Sequence, residues 1–525
     1  MKIVAAAALS VTALLGGLSA VSAQERGGVM TYGRYTDSLF LDPVLNDANV
    51  DIWVMTNFYE TLIMSSPDGM TLKPGLATEW SVNEAGDEVT LKLREGVKFS
   101  DGTPMTTEDV IWSLNRAKNP DNGIWNFILA SVDTVTAPDA GTIVIKLKYP
   151  DPTILAALSV FNTAIMPKAA FEAMPGETDA EKAQEFGKHP IGTGPFVLTS
   201  WDRGSSMKMT RNEYYWAKGA DGKPLPYLDG LNFEVIPDDA TRILKLQSGD
   251  IDGAEFIPFA RVGELKADPN IKMELFPGTR VWDIIMNVRP EINGKPNPLA
   301  DEKVRQAMNY AANKEALVQV VTYGVGTPLT SFMASSTPMH SGDKPLFPYD
   351  LEKAKALMAE SGYPDGFKIS ILTIAGNQDD LGITTALQQM WKAIGIDLEI
   401  RQVDNASRTE QYRAGTFEMR TGGWTNDISD PSQITSYFAY SPTIDALHSG
   451  WKNAEVDKLF EESQKEMDPV KRAEQFARIQ EIFNATGPTI PLYETPYPVA
   501  LSQKVNGFYQ IPLGNNIFTE TWLDQ

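Results

Sequence analysis

Two short acidic pairs are the residues of this chain whose type and spacing suggest chemistry. Asp250 and Asp252 are separated by one residue, and Asp427 and Asp430 by two. Two carboxylates that face each other across a cleft can cleave glycosidic bonds as acid and base or nucleophile. Both pairs also fit a structural role, because Gly249 before the first pair is typical of a helix end and Asp favours turns. The pairs alone therefore leave a carboxylate-based hydrolase and simple turns open.

Other catalytic and cofactor motifs are absent from the sequence. The 525 residues contain no cysteine, which excludes disulfides, Cys-ligated zinc, iron–sulfur centres and thiol catalysis. The three histidines, His189, His340 and His448, are far apart in the sequence, which makes a histidine metal site or a histidine-based proton relay unfavourable. No dinucleotide-binding or phosphate-binding glycine loop and no Gly-x-Ser-x-Gly elbow is present. The sequence thus predicts no catalytic residue, no cofactor and no metal ligand.

Composition and charge restrict the class of protein further. The chain is 42% hydrophobic, which is enough for packed cores, and at roughly 150 residues per domain it predicts three to four folding units. Its 46 basic and 68 acidic side chains give a net charge of −22. An acidic surface repels phosphate backbones and anionic lipid, so we expect no nucleic-acid partner and no membrane-surface partner.

Residues 1–23 have the pattern of an export signal. Lys2 precedes an apolar run, and Val21-Ser22-Ala23 is a small-residue cleavage site. The run is short and is interrupted by Gly16-Gly17, which favours a cleaved signal over a membrane anchor. No cysteine follows it, so the lipoprotein route is excluded. We expect an exported periplasmic protein that begins at Gln24.

The strongest structural pattern lies between residues 368 and 423. Alternating strand and helix signals predict a parallel, right-handed α/β unit in this segment. Its predicted elements are Lys368–Thr373, Leu381–Ile394, Ile396–Ile400, Ser407–Arg413 and Phe417–Thr421. Ligands of such sheets collect at the carboxyl ends of the strands. The stretch from Gly422 to Asp427, predicted to follow the last strand, should therefore lie where a ligand binds.

A longer series of motifs resembles one family over nearly the whole exported chain. These motifs occur in the family's order: Leu41-Asp42-Pro43, Tyr59-Glu60-Thr61-Leu62, Pro74-Gly75-Leu76-Ala77-Thr78-Glu79-Trp80, Leu93-Arg94-Glu95-Gly96-Val97-Lys98-Phe99-Ser100-Asp101-Gly102, Pro190-Ile191-Gly192-Thr193-Gly194-Pro195-Phe196, Arg211-Asn212-Glu213-Tyr214-Tyr215-Trp216, Gln247-Ser248-Gly249-Asp250-Ile251-Asp252, Val304-Arg305-Gln306-Ala307, Gly423-Trp424 and Ile490-Pro491-Leu492-Tyr493. Each motif alone is weak, but the ordered set is specific. The chain resembles the bacterial extracellular solute-binding proteins of family 5, which include the dipeptide- and oligopeptide-binding components of ABC importers.

The resemblance implies an α/β fold of the periplasmic-binding-protein type. Two lobes would be joined by a two-strand hinge and would enclose the ligand between them. Carried over to this chain, lobe one comprises residues 24–282 and 496–525, and lobe two comprises residues 283–495. An extra subdomain of lobe one would lie at about 65–190.

The resemblance also assigns site residues. In peptide-binding members, the acid of a Gly-Trp-x-x-Asp motif pairs with the α-ammonium of the ligand, and Asp427 occupies that position. The set of residues predicted to bind the ligand is Asp427, Trp424, Asn426, Trp282 and Arg280. Asp430 would remain a turn residue.

The expected function is capture of a peptide or a similar small solute and its delivery to ABC permease subunits in the inner membrane, by a monomer that is not an enzyme. One departure limits this carry-over, because the loop Thr373–Gln378 lacks the arginine that holds the ligand carboxylate in dipeptide-specific members. Arg280, Arg408 or Arg420 would have to replace it, and the sequence does not choose among them. The alternatives are a secreted hydrolase and a binder of a non-peptide solute such as an opine, a sugar, a metal complex or haem.

Overall fold

The computed structural model describes residues 24–46, 48–343, 347–443 and 447–524. The predicted signal, residues 1–23, lies outside the described residues. The α-helices of the described ranges are Asn49–Met55, Thr107–Lys118, Ile154–Ala157, Lys168–Glu172, Asp179–Phe186, Asp239–Ser248, Phe259–Ala267, Glu302–Ala311, Lys314–Val321, Leu351–Glu360, Gln378–Lys392, Asn405–Arg413, Ser432–Phe438, Ala454–Ser463 and Pro469–Thr486. No helix in these ranges combines the length and the apolar character needed to cross a bilayer.

One large mixed sheet runs through the described part of the molecule. Ten of its strands form a continuous path of hydrogen-bonded neighbours. In spatial order they are Ile396–Val403, Phe367–Ile374, Met419–Trp424, Ile271–Met286, Thr489–Ser502, Gly253–Ala254, Val29–Arg34, Gly230–Val235, Ser206–Arg211 and Phe196–Asp202. The short strand Thr327–Pro328 lies outside this path and pairs with Thr489–Ser502. The strands at one end of this path fall in the range predicted for lobe two and those at the other end in the ranges predicted for lobe one. Helices cover both groups, so the fold is of the mixed α/β class.

Two long strands connect the groups. Ile271–Met286 and Thr489–Ser502 are antiparallel neighbours over most of their length, from Ile271 opposite Ser502 to Ile285 opposite Thr489. The pairing changes register between Phe276 and Arg280 and again between Trp282 and Asp283. Register shifts of this kind bend and twist a strand pair. The predicted lobe boundaries at 282/283 and 495/496 fall within these strands, and the boundaries themselves stay predictions.

A separate antiparallel sheet lies within the range predicted for the extra subdomain. Its strands, in spatial order, are Ala77–Val82, Glu88–Leu93, Thr142–Leu147 and Val132–Asp139. The helix Thr107–Lys118 packs beside it and begins with a reciprocal pair of hydrogen bonds between Thr106 and Asp109. Such a capping box satisfies two backbone donors at the helix start. The limits proposed for the subdomain, about 65–190, stay a prediction.

The parallel unit of lobe two has the predicted order of elements. Phe367–Ile374 is parallel to Ile396–Val403 on one side and to Met419–Trp424 on the other. The last strand differs from the prediction, because it begins at Met419 rather than Phe417 and includes Gly422 and Gly423. Gly422 pairs with Asp283, and a β-carbon at Gly422 would lie 2.4 Å from Cδ1 of Ile285. Both glycines are therefore strand residues rather than a loop after the strand, and Gly422 lies at a close contact.

The buried side chains form separate cores for the two lobes. The largest core contains residues of lobe one together with Ile428, which lobe two contributes. Two further cores contain side chains from 281 to 493, including the inward face of Gln378–Lys392 with Leu387 and Trp391. The segment around Ile428 therefore packs against the opposite lobe.

Candidate functional site

A cavity of about 580 Å³ lies between the two lobes at the carboxyl end of the parallel strands. Lobe one contributes Asn49 and Trp125, and the crossing strand contributes Arg280, Val281 and Trp282. Lobe two contributes Ile374, Asn377, Asp380, Arg408, Arg420, Thr421, Gly422, Gly423, Trp424, Thr425 and Asp427. The position agrees with the general rule for ligands of parallel sheets. Four of the five predicted site residues line this cavity, and Asn426 lies behind it.

Asp427 is a carboxylate held in place by backbone and amide contacts. Gln433 Nε2 donates a hydrogen bond of 3.0 Å to Asp427 Oδ2, and Gln433 Oε1 accepts from the backbone N–H of Asp427 at 2.9 Å. No cation of the described residues forms an ion pair with this carboxylate. Burial raises the pKa of Asp427 to about 6, and the bond from Gln433 opposes the shift. An acid of this kind gains a strong partner when a ligand brings an ammonium group.

Asp430 has a role beyond the predicted turn. Its Oδ1 accepts a bond of 2.9 Å from the backbone N–H of Ser432, which is the expected turn contact. Its carboxylate also receives two bonds from Arg472, at 2.6 and 2.8 Å, and both side chains are buried. The acidic pair Asp427 and Asp430 therefore divides into one carboxylate at the cavity and one in a buried ion pair. In the described ranges, no cluster of acidic or histidine side chains could hold a metal ion.

Trp424 and Asn426 hold the segment around Asp427 in place through their packing and hydrogen bonds. Trp424 lines the cavity, packs on Tyr437 with a ring separation of 4.8 Å, and donates from its indole N–H to Asn426 Oδ1 at 2.9 Å. Asn426 is buried, and its side-chain amide donates to Thr337 Oγ1 at 3.1 Å. Both ends of the Asn426 side chain are thus engaged by the protein. Direct contact of Asn426 with a ligand stays a prediction.

Trp282 and Arg280 approach the cavity from the crossing strand Ile271–Met286. Trp282 packs beside Tyr493, with ring centroids 6.4 Å apart. The Arg280 guanidinium lies 5.7 Å from the ring centroids of both Phe256 and Tyr497. Both side chains lie next to the register shifts of this strand, so its pairing with Thr489–Ser502 also shapes the cavity.

Two further arginines, Arg408 and Arg420, line the cavity together with the acidic Asp380, which interacts electrostatically with Arg408. Arg408 donates to the backbone carbonyl of Thr421, whereas its Nε has no hydrogen-bond partner among the described residues. Arg420 is buried beside it, and its pKa is lowered to about 9, first by burial and then by Arg408. The buried hydroxyls of Thr373 and Thr421 also have no partner in the described ranges. Two adjacent guanidinium groups and open donors are suited to a carboxylate.

Lobe one contributes cavity residues that the sequence reasoning missed. Trp125 lines the cavity from the 3₁₀ segment Ile124–Leu129, and its buried indole N–H has no partner among the described residues. Asn49 lies at the start of the helix Asn49–Met55. No sequence signal marks either residue, because each is about 300 residues or more away from Asp427 along the chain.

The chain is similar to known solute-binding proteins over most of its length. The family model of the bacterial extracellular solute-binding proteins, family 5, matches residues 71–445. The glutathione-binding protein GsiB of Escherichia coli (strain K12) is 30% identical over 485 residues, which are 90% of each chain.

Solved structures show the same likeness. HbpA2 from Haemophilus parasuis has a TM-score of 0.83 at 26% identity and covers 95% of this chain and 100% of its own. The periplasmic binding protein DppA from Helicobacter pylori, in complex with the peptide STSA, has a TM-score of 0.76 at 25% identity. The match covers 95% of this chain and 99% of the DppA chain.

Proposed function

Because the chain belongs to family 5 of the bacterial extracellular solute-binding proteins, we propose that it captures a short peptide with a free α-ammonium group for an ABC importer. The family is one of solute-binding components of importers, and the interlobe cavity is where such a solute fits. Binding without turnover is the role that we assign to it. Glutathione is a member of the proposed class of ligands, since it is a tripeptide with a free amine, and the relative named above favours it as a candidate.

Asp427 is the observation that carries the proposal. Its carboxylate lines the interlobe cavity, is half-buried and lacks a cationic partner in the described part of the chain. A ligand ammonium would supply that partner and form a short charge-assisted bond. The same position is occupied by the ammonium-binding acid in the peptide-binding members that the sequence resembles.

The arginines of the cavity are suited to the carboxylate end of the ligand. Arg408 of the helix Asn405–Arg413 lies near Arg420 of the strand Met419–Trp424, and Arg280 faces the same cavity. We assign the ligand carboxylate to the Arg408 and Arg420 pair, because Arg408 Nε and the hydroxyl of Thr421 are open donors beside it. The missing arginine of the loop Thr373–Gln378 is then replaced from the neighbouring helix and strand.

Calorimetric titration with a dipeptide and its blocked forms tests both contacts. The probes are leucyl-alanine, its N-acetyl form and its C-terminal amide, with glutathione as a second free-amine ligand. Asp427→Asn keeps the shape of the side chain and removes its charge, and we expect about a thirty- to several-thousand-fold loss of affinity for leucyl-alanine, corresponding to about 2–5 kcal/mol. Arg408→Gln should weaken the free acid about ten- to hundredfold and the amide much less.

The matched control is Asp365→Asn, which removes an exposed carboxylate from the turn before Phe367. It should bind like the wild type. Equal binding of free-amine and N-acetylated peptides by wild type and Asp427→Asn would contradict the proposal. Hydrolysis of a bound probe would instead support the alternative of a secreted hydrolase.

We also propose the cellular setting that the sequence predicts. The protein would be exported to the periplasm, cleaved after Ala23 without lipid attachment, and would act as a monomer that delivers its ligand to inner-membrane permease subunits. The family description as extracellular supports export. Amino-terminal sequencing of the exported protein should give Gln24 as the first residue.

A further inference from the structure

The long strand Ile271–Met286 leaves its ladder at one short break. Its pairing with the neighbouring long strand stops at Phe276 and resumes at Arg280, so residues 277–279 are outside the register. Backbone groups that leave a ladder need other partners when they are buried. We call residues 277–279 the strand break, and the partners of its backbone and side chains lie in both of the predicted lobes.

Thr279 connects the strand break to the segment that carries Asp427. Its backbone N–H donates to the carbonyl of Pro512 at 3.1 Å, and its hydroxyl donates to the same oxygen at 3.4 Å. The hydroxyl also accepts the backbone N–H of Asn426 at 2.9 Å. Thr279 and Pro512 fall in the ranges predicted for lobe one, and Asn426 falls in the range predicted for lobe two. One buried hydroxyl therefore bonds to backbone groups of both predicted lobes.

A loop from the range predicted for lobe two makes a second bond to the strand break. Ser336 Oγ donates to the carbonyl of Gly278 at 2.8 Å. The buried Gln480 anchors this loop, because its Oε1 accepts from the hydroxyl of Ser331 at 2.9 Å and from the backbone N–H of Ser341 at 3.0 Å. Two adjacent residues of the strand break thus bond to lobe-two groups that are themselves fixed.

We propose that Thr279 is a positioning residue for ligand capture, whose hydroxyl accepts the Asn426 N–H on closure and so holds the Asp427 segment against lobe one. This inference rests on the proposed function, since it concerns the capture of a peptide at Asp427. In an open arrangement, water can bond to the Asn426 N–H. In the closed arrangement Thr279 takes that place, and an unpaired buried donor would be costly. The hydroxyl therefore favours the closed state without touching the ligand.

Calorimetric titration of Thr279→Val tests the inference. Valine has a similar size but no hydroxyl, so the Asn426 N–H loses its partner in the closed protein. Leucyl-alanine and alanyl-alanine should both bind about five- to thirtyfold more weakly, corresponding to about 1–2 kcal/mol. The factor should be the same for both dipeptides, because the hydroxyl acts on closure and not on the ligand.

Thr322→Val is the matched control. The Thr322 hydroxyl is equally buried, donates to the carbonyl of Val318 at 2.8 Å and accepts the backbone N–H of Gly326 at 3.0 Å. These three residues all fall in the range predicted for lobe two, so the change removes the same kinds of bond within one lobe. Both valine variants should have a lower melting temperature than the wild type. Thr322→Val should change the affinity for either dipeptide by less than about twofold.

Two further variants separate the hydroxyl from the rest of the side chain and from the fold. Thr279→Ser keeps the hydroxyl and should bind both dipeptides within about threefold of the wild type. Ser336→Ala removes the other bond to the strand break and should weaken both dipeptides by about two- to tenfold. If Thr279→Val does not fold, an unchanged affinity of Ser336→Ala would overturn the inference.

The remaining outcomes are also decisive. Wild-type affinity in a folded Thr279→Val, an equal loss in Thr322→Val, or a Thr279→Ser variant as weak as Thr279→Val would overturn the inference and leave the proposed function standing. A loss confined to one dipeptide would overturn it as well, because Thr279 would then act on the ligand itself. Failure of both dipeptides to bind the wild type would overturn the proposed function together with this inference.

Discussion

At the scale of single residues, Asp427 should make ligand binding depend on pH. Burial raises its pKa from 3.8 to about 6, so the carboxylate is charged at pH 7.5 and mostly protonated at pH 5. A protonated acid cannot pair with a ligand ammonium. We therefore expect leucyl-alanine to bind about tenfold more weakly at pH 5 than at pH 7.5, measured by calorimetry.

The same shift has a consequence for the ligand-free protein. Because the folded state holds the Asp427 proton more tightly than the unfolded state, the contribution of this group to the free energy of unfolding is present below pH 3.8 and is lost as the pH rises through about 6. Glu60 also titrates near this range, with its pKa raised by burial to about 7, so the variant Asp427→Asn is the control. If the pH dependence of unfolding or of ligand binding is the same in Asp427→Asn as in the wild type, that pH dependence comes from a group other than Asp427.

Asp430 and Arg472 should contribute to stability rather than to affinity. Their two hydrogen bonds are buried, and removal of one partner leaves the other charge without compensation. Asp430→Asn should lower the free energy of unfolding by about 3–5 kcal/mol, measured by urea denaturation at pH 7. The exposed control Asp365→Asn should change it by less than about 0.5 kcal/mol. Equal stability of the two variants would show that this ion pair is not needed.

At the scale of secondary structure elements, the strand Met419–Trp424 depends on a glycine. A β-carbon at Gly422 would come within 2.4 Å of the buried Ile285, so Gly422→Ala should lower the free energy of unfolding by about 1–3 kcal/mol. Gly263→Ala is the matched control, because Gly263 lies in the helix Phe259–Ala267 and a β-carbon there would meet no atom of the described residues within 4 Å. That variant should gain about 0.5–1 kcal/mol. Thermal unfolding of both variants tests the pair, and a neutral Gly422→Ala would contradict the packing argument.

The same elements show what the sequence could and could not predict. Hydrophobic spacing predicted the strand–helix–strand order of 367–424, because buried faces impose a period that local sequence records. It placed the end of the last strand wrongly, since the contact between Gly422 and Ile285 joins residues that are 137 positions apart. The ion pair of Asp430 with Arg472 and the approach of Trp125 to the cavity depend on tertiary packing in the same way. The resemblance to family 5 supplied the predicted role of Asp427, which spacing alone left open and which stays a prediction.

At the scale of the whole molecule, the segment that carries Asp427 also joins the two lobes. Ile428 packs into the core of lobe one, and the hydroxyl of Ser429 lies 3.1 Å from the hydroxyl of Ser65 in lobe one. In the proposed binding mode, a ligand ammonium at Asp427 would lie directly beside these contacts between the lobes. A ligand that touches both lobes would shift the population toward an arrangement with these contacts by its differential affinity.

This coupling can be measured with a crosslink, because the sequence contains no cysteine. Ser65 and Ser429 are the positions for this crosslink, because their hydroxyls face each other at 3.1 Å across the lobes, and a disulfide forms between β-carbons about 3.5–4.5 Å apart. In the double variant Ser65→Cys/Ser429→Cys under mild oxidation, saturating leucyl-alanine should speed formation of the intramolecular disulfide, followed by titration of free thiols and by non-reducing electrophoresis. The single variants report any reaction between molecules. Once oxidised, the double variant should release bound peptide more slowly than its reduced form, because the closed lobes block the exit. If the rate of disulfide formation is the same with and without peptide, closure is not driven by the ligand, and the two-lobe capture mechanism is wrong for this protein.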